Sequence, residues 1–440
     1  MKNRVGFLML FICSLMFAQQ TTFKFDFGGN RVENGFIPIS SISKFDKKTG
    51  YGFMDISGLK SIDNGGNALT GDFITSDKPF YFSVAIPEGN YDIKLNLGDT
   101  KGTSETTIRV ENRRLMLNDF KTRQGEVVEK QITVHVKDSI IRNQNGDKIG
   151  IVKLKPRETK YLHWDNLLTI EFNDKAPKVC SVIIQPNKTA KTIYLTGDST
   201  VVDAQYEPWA SWGQMLPYFF APNEVVIANY AESGETLKAF EDRHRIDKIW
   251  NKIKRGDYLF IQFGHNDQKY GYSEKSGYRK RLKEWIQKAK QLGAIPVLVT
   301  SMNRHVFDQH NEIVNTLDDF PDAMREIAKE ENVYLIDLNA LSKTLFEAMG
   351  PENSKKAFVY YPANSYPNQP KALADDTHFN TYGAYELAKC VVKSIVDQNL
   401  PLKKYISKNY KNFEPNKPDD VEKFHWPESI FMESLKPDGN

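Results

Sequence analysis

The sequence is poor in cysteine, with three in 440 residues. One of them, Cys13, lies in an N-terminal apolar run, which leaves Cys180 and Cys390. Two cysteines do not make a disulfide scaffold, and without clustered histidines they form no structural zinc motif. Cys180 falls in a strand-like alternation and Cys390 in a helical pattern, so both read as small buried apolar side chains. A bridge between them suits an oxidising compartment, but spacing alone does not bring them together. Charge of one sign is also missing. The chain has 59 basic and 56 acidic residues, a formal net charge of +3. That balance gives no argument for a nucleic acid or an anionic membrane as partner. Beyond the N-terminus no unbroken apolar run approaches the roughly 20 residues of a membrane span. Internal repeats are absent too.

What is present begins at the N-terminus. "MKNRVGFLMLFICSLMFA" places Lys2 and Arg4 before an apolar stretch from Val5 to Phe17, then Ala18. This pattern predicts a signal peptide over residues 1–18, cleaved near Ala18–Gln19. Ile12 is too bulky for the position before a lipoprotein cysteine, so the expectation is a soluble exported protein, periplasmic or extracellular.

Two rhythms follow. Over 21–187, short segments alternate apolar and polar: "FSVAI" (82–86), "YDIKLNL" (91–97), "ITVHV" (132–136), "LTIEF" (168–172) and "SVIIQ" (181–185). Such spacing predicts an antiparallel sandwich of jelly-roll type. From 191 to about 400 the strands become near-continuous apolar runs: "TIYLTG" (192–197), "VVIANYA" (225–231), "YLFIQFG" (258–264), "IPVLVTS" (295–301) and "VYLIDL" (333–338). Strands buried on both faces belong to a parallel sheet. Between them run helical stripes, including Tyr278, Leu282, Trp285, Ile286 and Ala289, and Leu387, Ala388, Val391, Val392, Ile395 and Val396. The alternation predicts a doubly wound α/β unit. Residues 401–440, rich in Pro, Lys and Asn, are expected to wrap the surface.

An open parallel sheet binds ligands beyond the carboxyl ends of its strands. Past the first strand stand Gly197, Asp198, Ser199 and Thr200. Past the second stand Ala231, Glu232, Ser233 and Gly234. The third is followed by Gly264, His265, Asn266 and Asp267, and the fourth by Met302, Asn303, Arg304 and His305. All of these are expected to share one crevice. If Ser199 is a nucleophile it needs a base. Of eight histidines, His135, His163, His244 and His425 read as solvated or structural. His378, in the loop-like "ADDTHFN" (374–380), has a carboxylate three residues before it, and Asp375 is placed to hold one ring nitrogen while the other faces the serine. Asp376 is the rival orienter and His265 the rival base. The backbone N–H of Ser199, at the start of an expected helix, Gly234 and the Asn266 side chain are candidate oxyanion donors.

Taken in order, "GDST" (197–200), Gly234 in "YAESGET", "GHND" (264–267) and "DDTH" (375–378) resemble the four blocks of the SGNH, or GDSL-type, hydrolases. "WASWGQ" (209–214), "FIQFGHND" (260–267) and "DDTHFNTYG" (375–383) resemble the rhamnogalacturonan acetylesterase branch. The leading segment resembles a galactose-binding-like sandwich in pattern. The resemblance implies a flavodoxin-like three-layer α/β/α fold and ester hydrolysis without metal or cofactor. It implies Ser199 as nucleophile, His378 as base then acid, Asp375 as orienter, and Ser199, Gly234 and Asn266 as the oxyanion hole. The implied substrate is an acetylated pectic polysaccharide.

Other readings stand beside these. Ser199 also suits a helix cap and Gly234 a plain turn. His265 also suits a pocket-shaping role, and Arg304 and His305 suit either a uronate carboxylate or a surface ion pair. Tyr206, Trp209, Trp212 and Tyr270 suit stacking on sugars or plain packing. The sandwich suits glycan binding or mechanical support. Acetyl-xylan or another short ester is the alternative substrate, and a non-catalytic glycan-binding protein the alternative class.

Overall fold

The computed structural model describes residues 22–29, 31–432 and 436–438. The signal peptide expected over 1–18 lies outside the described residues.

The leading part is a two-sheet sandwich. One sheet runs in the order Val127–Val136, Gly89–Gly98, Lys178–Pro186, Phe23–Phe27, Ile37–Ile39, with Asp72–Thr75 and Lys60–Asp63 joined to its side. The other runs Tyr51–Phe53, Phe80–Ala85, Leu167–Ala176, Ser104–Val110, Arg114–Thr122. Pairing is antiparallel except that Phe23–Phe27 meets Ile37–Ile39 in parallel. The alternating residues do what their period requires: Phe82, Val84, Ile93, Leu95 and Leu97 are fully buried between the sheets, with Phe25, Phe27 and Phe53 crossing onto Phe82 edge to face. Each such phenylalanine contributes about 1.5–3 kcal/mol by leaving water.

The second part is a five-stranded parallel sheet. Its strands are Lys191–Thr196, Val225–Asn229, Tyr258–Ile261, Ile295–Val299 and Tyr334–Ile336, arranged spatially as second, first, third, fourth, fifth. That order belongs to flavodoxin-like sheets. Successive residues serve opposite faces. Leu195, Ile227, Phe260 and Val297 pack with Trp212, Leu338 and the Leu387–Ile395 stripe. Tyr194, Ala228, Leu259 and Leu298 pack with the Tyr278–Ala289 stripe and the helix Phe320–Glu330. Helices on both faces complete three layers. The fifth strand departs from its expected double burial: it is the sheet edge, and Tyr334 is exposed.

Where the sandwich meets the α/β unit its outer face is covered rather than solvated. His135 does point out of the sandwich core, as its alternation requires, but it is buried against the α/β unit, Nδ1 to Asn90 Oδ1 at 2.7 Å and Nε2 to the Tyr230 hydroxyl at 3.1 Å. Arg114 sets Nε and Nη2 at 3.0 and 2.8 Å from Asp203 Oδ2. Lys248 pairs with Asp138 at 2.9 Å, and Arg245 with Glu158 at 2.5 Å. The segment after 400 is likewise partly internal. Leu402 and Phe413 are buried, and Trp426 covers the Arg109 guanidinium while donating to Glu207.

Candidate active site

Ser199 follows directly on the first sheet strand. Gly197 makes the turn possible: a Cβ there would lie 2.5 Å from Val201 Cγ2 and 2.9 Å from the Gln262 carbonyl oxygen. Asp198 then builds the turn, its carbonyl accepting from the Val201 and Val202 amides at 3.1 Å each. Its Oδ1 accepts from the Thr200 amide and hydroxyl at 2.9 and 2.7 Å. No helix follows, contrary to the expectation. Ser199 therefore caps nothing, and the next helix is Trp212–Met215.

His378 and Asp375 lie on the strand Leu373–Phe379, paired with Phe358–Tyr361, and not in a loop. A regular strand would aim residues three apart to opposite faces. The ladder avoids this. Phe379 pairs with Phe358 and Asp375 with the adjacent Val359, so residues 376–378 bulge out between them. In that bulge Asp375 Oδ1 accepts from the Thr377 and His378 amides at 2.8 and 3.0 Å. Its Oδ2 meets His378 Nδ1 at 2.9 Å, and His378 Nε2 lies 2.8 Å from Ser199 Oγ. Burial raises the Asp375 pKa, but the hydrogen bonds and charge of His378 outweigh it and hold the carboxyl below its ordinary range. The rival Asp376 is exposed and turned toward Tyr360 and His305.

Gly234 adopts φ of +75°, a backbone that favours glycine. Among the described residues neither the Ser199 nor the Gly234 amide donates to a protein acceptor. Asn266 is buried, and its Nδ2 donates to the Glu235 carbonyl at 3.2 Å, in the loop that carries Gly234. The other amide hydrogen is not needed for that bond. Beside it the Asp267 carboxyl is pushed up to about 7 by burial, though its Oδ1 takes the Leu237 amide at 2.9 Å.

His265 is fully buried, Nδ1 3.6 Å from Asp198 Oδ2, and burial lowers its pKa despite that carboxylate. The imidazole in reach of Ser199 belongs to His378. Arg304 gives Nη1 to the Thr316 carbonyl and hydroxyl at 2.9 and 3.0 Å. Two residues past the fourth strand leave the shared crevice. Asn303 donates to Asn339 and Ser342, and His305 packs against Phe358 with Nε2 on the Pro351 carbonyl.

Four neighbours of the site were not legible. Trp209 stands perpendicular to the His378 ring, which nothing in "WASWG" distinguishes from ordinary packing. Arg157 and Tyr161 come from the connection between the sandwich strands Val127–Val136 and Leu167–Ala176, and Lys436 Nζ lies 3.2 Å from Asp375 Oδ2. Their positions depend on how distant segments dock, for which the sequence carries no local signal.

Comparison with known proteins gives this arrangement a lineage. Residues 195–384 match the GDSL-like lipase/acylhydrolase family, and residues 23–135 match a β-agarase/YxiM esterase-like, galactose-binding-like domain. The chain is 43% identical over 217 residues to the rhamnogalacturonan acetylesterase RhgT of Bacillus subtilis, covering 49% of this chain and 93% of that one. It is 26% identical over 410 residues to the uncharacterized esterase YxiM of the same organism, covering 89% and 97%. The X-ray structure of B. subtilis YxiM superposes with a TM-score of 0.45 at 24% identity, over 86% of this chain and 99% of that one. The chain belongs to the GDSL-like lipase/acylhydrolase family of carboxylic ester hydrolases, with a galactose-binding-like domain ahead of the hydrolase.

Proposed function

We propose that this protein is an exported carbohydrate esterase that removes O-acetyl groups from plant cell-wall polysaccharide, rhamnogalacturonan foremost. Ser199 is the nucleophile, His378 the base and then acid, and Asp375 the orienter. The observation that carries this reading is the relay from Asp375 Oδ2 through His378, 2.9 and 2.8 Å, to the Ser199 hydroxyl.

The chemistry follows from those contacts. Ser199 Oγ attacks the acetyl carbonyl carbon as its proton passes to His378 Nε2. Asp375, anionic throughout, stabilises the imidazolium and keeps Nδ1 protonated. The carbonyl oxygen becomes an oxyanion facing the Ser199 and Gly234 amides and the spare hydrogen of Asn266, donors fixed before the reaction begins. Collapse breaks the bond to the sugar oxygen, which takes the proton from His378 Nε2. Water then gives a proton to His378 and attacks the acetyl-serine. The second collapse releases acetate, and Ser199 regains its proton.

A relative 43% identical that is named a rhamnogalacturonan acetylesterase supports the substrate class, and the charged-then-apolar N-terminus supports export. The test is acetate release from acetylated rhamnogalacturonan and acetylated xylan by wild type and Ser199→Ala. Loss in the variant with preference for the pectic polymer is expected. Release by Ser199→Ala would remove the nucleophile, and preference for xylan would move the enzyme to the alternative substrate.

A further inference from the structure

The cleft beside Ser199 has a wall that neither matched segment supplies. A cavity of about 250 Å³ is lined by Arg157, Tyr161, Tyr206, Trp209, Glu232 and Asp438. Arg157 sits on the turn Pro156–Lys160, outside both 23–135 and 195–384.

The guanidinium is held by one edge to a buried carboxylate and by the other to an exposed one. Nε and Nη2 lie 3.2 and 2.7 Å from Glu232 Oε1, and Nη2 also donates to the Ser233 carbonyl at 3.0 Å. Glu232 is buried, and burial together with neighbouring Glu158 raises its pKa. The remaining nitrogen, Nη1, takes Asp438 Oδ2 at 2.5 Å. Asp438 thereby rests on Gly234, its Cβ 3.0 Å from where a side chain on that glycine would begin. Two residues earlier Lys436 Nζ is 3.2 Å from Asp375 Oδ2, the oxygen that holds His378. A carboxylate of the chain itself thus occupies the cleft next to a proposed oxyanion donor.

We propose that Arg157 is the specificity residue for an acidic substrate, binding the carboxylate of a uronate unit adjacent to the acetylated sugar, and that Asp438 holds that position when substrate is absent. The inference rests on the polysaccharide-esterase reading and narrows it to polymers bearing free carboxylates. An anchored, 27% exposed arginine side chain presents the planar donors that a carboxylate accepts, and Glu232 fixes its orientation in advance. Asp438 has a side chain 62% exposed, so its ion pair is of the weak surface kind that a polymer carboxylate, aided by ring contact with Tyr161, displaces. Arg304, the candidate taken from the sequence, spends Nη1 on Thr316 instead.

The test uses the full chain, with p-nitrophenyl acetate as reporter and a galacturonate trisaccharide as inhibitor beside a neutral galactose trisaccharide. Wild type is inhibited by the acidic sugar more than by the neutral one. Arg157→Gln raises the acidic sugar's inhibition constant about tenfold or more, the loss of one charge-assisted bond. Asp438→Asn, which leaves Arg157 and Glu232 in place, lowers that constant severalfold. Equal inhibition of wild type and Arg157→Gln, or weaker inhibition after Asp438→Asn, overturns the proposal. Should wild type fail to turn over the reporter, the esterase reading itself fails. Calorimetric binding of the same trisaccharides to wild type and both variants then decides the role of Arg157 by the same ranking.

Discussion

Trp209 stands at 88° to the His378 imidazole, ring centroids 5.8 Å apart. The indole is buried, and its backbone carbonyl accepts from Arg113 Nη2 at 2.9 Å, so the segment that carries it is tied to the sandwich. The contact fixes the plane of a ring whose two nitrogens must face Asp375 and Ser199 at once. Trp209→Ala is expected to lower kcat roughly ten- to a hundredfold, the scale on which small misplacements of reacting groups act. Trp209→Phe, which keeps an aromatic face, restores most of it. Steady-state kinetics on a small acetyl ester check this. A change confined to KM would make Trp209 a substrate contact and not a support for the base.

Asp375→Asn removes the charge that stabilises the imidazolium and fixes its tautomer. A fall in kcat of roughly 10²–10⁴ is expected. The same variant reports on stability. The folded-state pKa of Asp375 is depressed, so its contribution is present above the unfolded carboxyl value near 4 and fades as pH falls through the folded one. Denaturant unfolding is therefore expected to show wild type more stable than Asp375→Asn at pH 7, with the gap closing as the solution is acidified.

Asp267 has the opposite sign. Burial lifts its carboxyl to about 7, so the folded state holds the proton more tightly than the unfolded chain. Its contribution is present at acid pH and is lost as pH rises from the unfolded value through about 7. Asp267→Asn imitates the protonated acid and does not titrate. Relative to wild type, the variant is expected to gain at least about 1 kcal/mol between pH 5 and pH 8. Thermal or denaturant midpoints at the two pH values measure it.

Arg114 sets two donors on one oxygen of Asp203, a pair buried where the sandwich meets the α/β unit. Arg114→Ala leaves Asp203 with Asn229 Nδ2, 2.8 Å from Oδ1, and with the buried charge of Lys137 nearby. Breaking a buried pair costs about 3–5 kcal/mol. The double variant Arg114→Leu with Asp203→Asn, which removes both charges, is expected to lose clearly less. Equal losses would mean that packing around the guanidinium, and not the stranded carboxylate, sets the cost.

How far the sequence carried the structure depended on whether a residue's neighbours were near it in the chain. The parallel strands were legible because Phe260 and Leu259, consecutive residues, serve opposite helical layers and must both be apolar. Ser199, Gly234 and Asn266 were legible because strand ends share one rim of such a sheet. Asp375 and His378 were legible as a pair but not as a bulged ribbon, since the register of Phe358–Tyr361 against them is a long-range choice. His135 marks the limit: period two placed it outside the sandwich core correctly, yet what covers it is Tyr230, 95 residues onward. Arg157 and Lys436 reach the cleft by the same kind of docking.

Besides the apolar contacts that Leu115, Ile141, Val152 and Trp164 make with the α/β core, the seam between the two halves buries Arg114 with Asp203, Lys248 with Asp138 and Arg245 with Glu158. The charged groups are comfortable in water before the seam shuts; the four apolar side chains are not. Joining the halves is a drying event for both kinds of group, and it is what sets Arg157 of the leading half against Glu232 of the other.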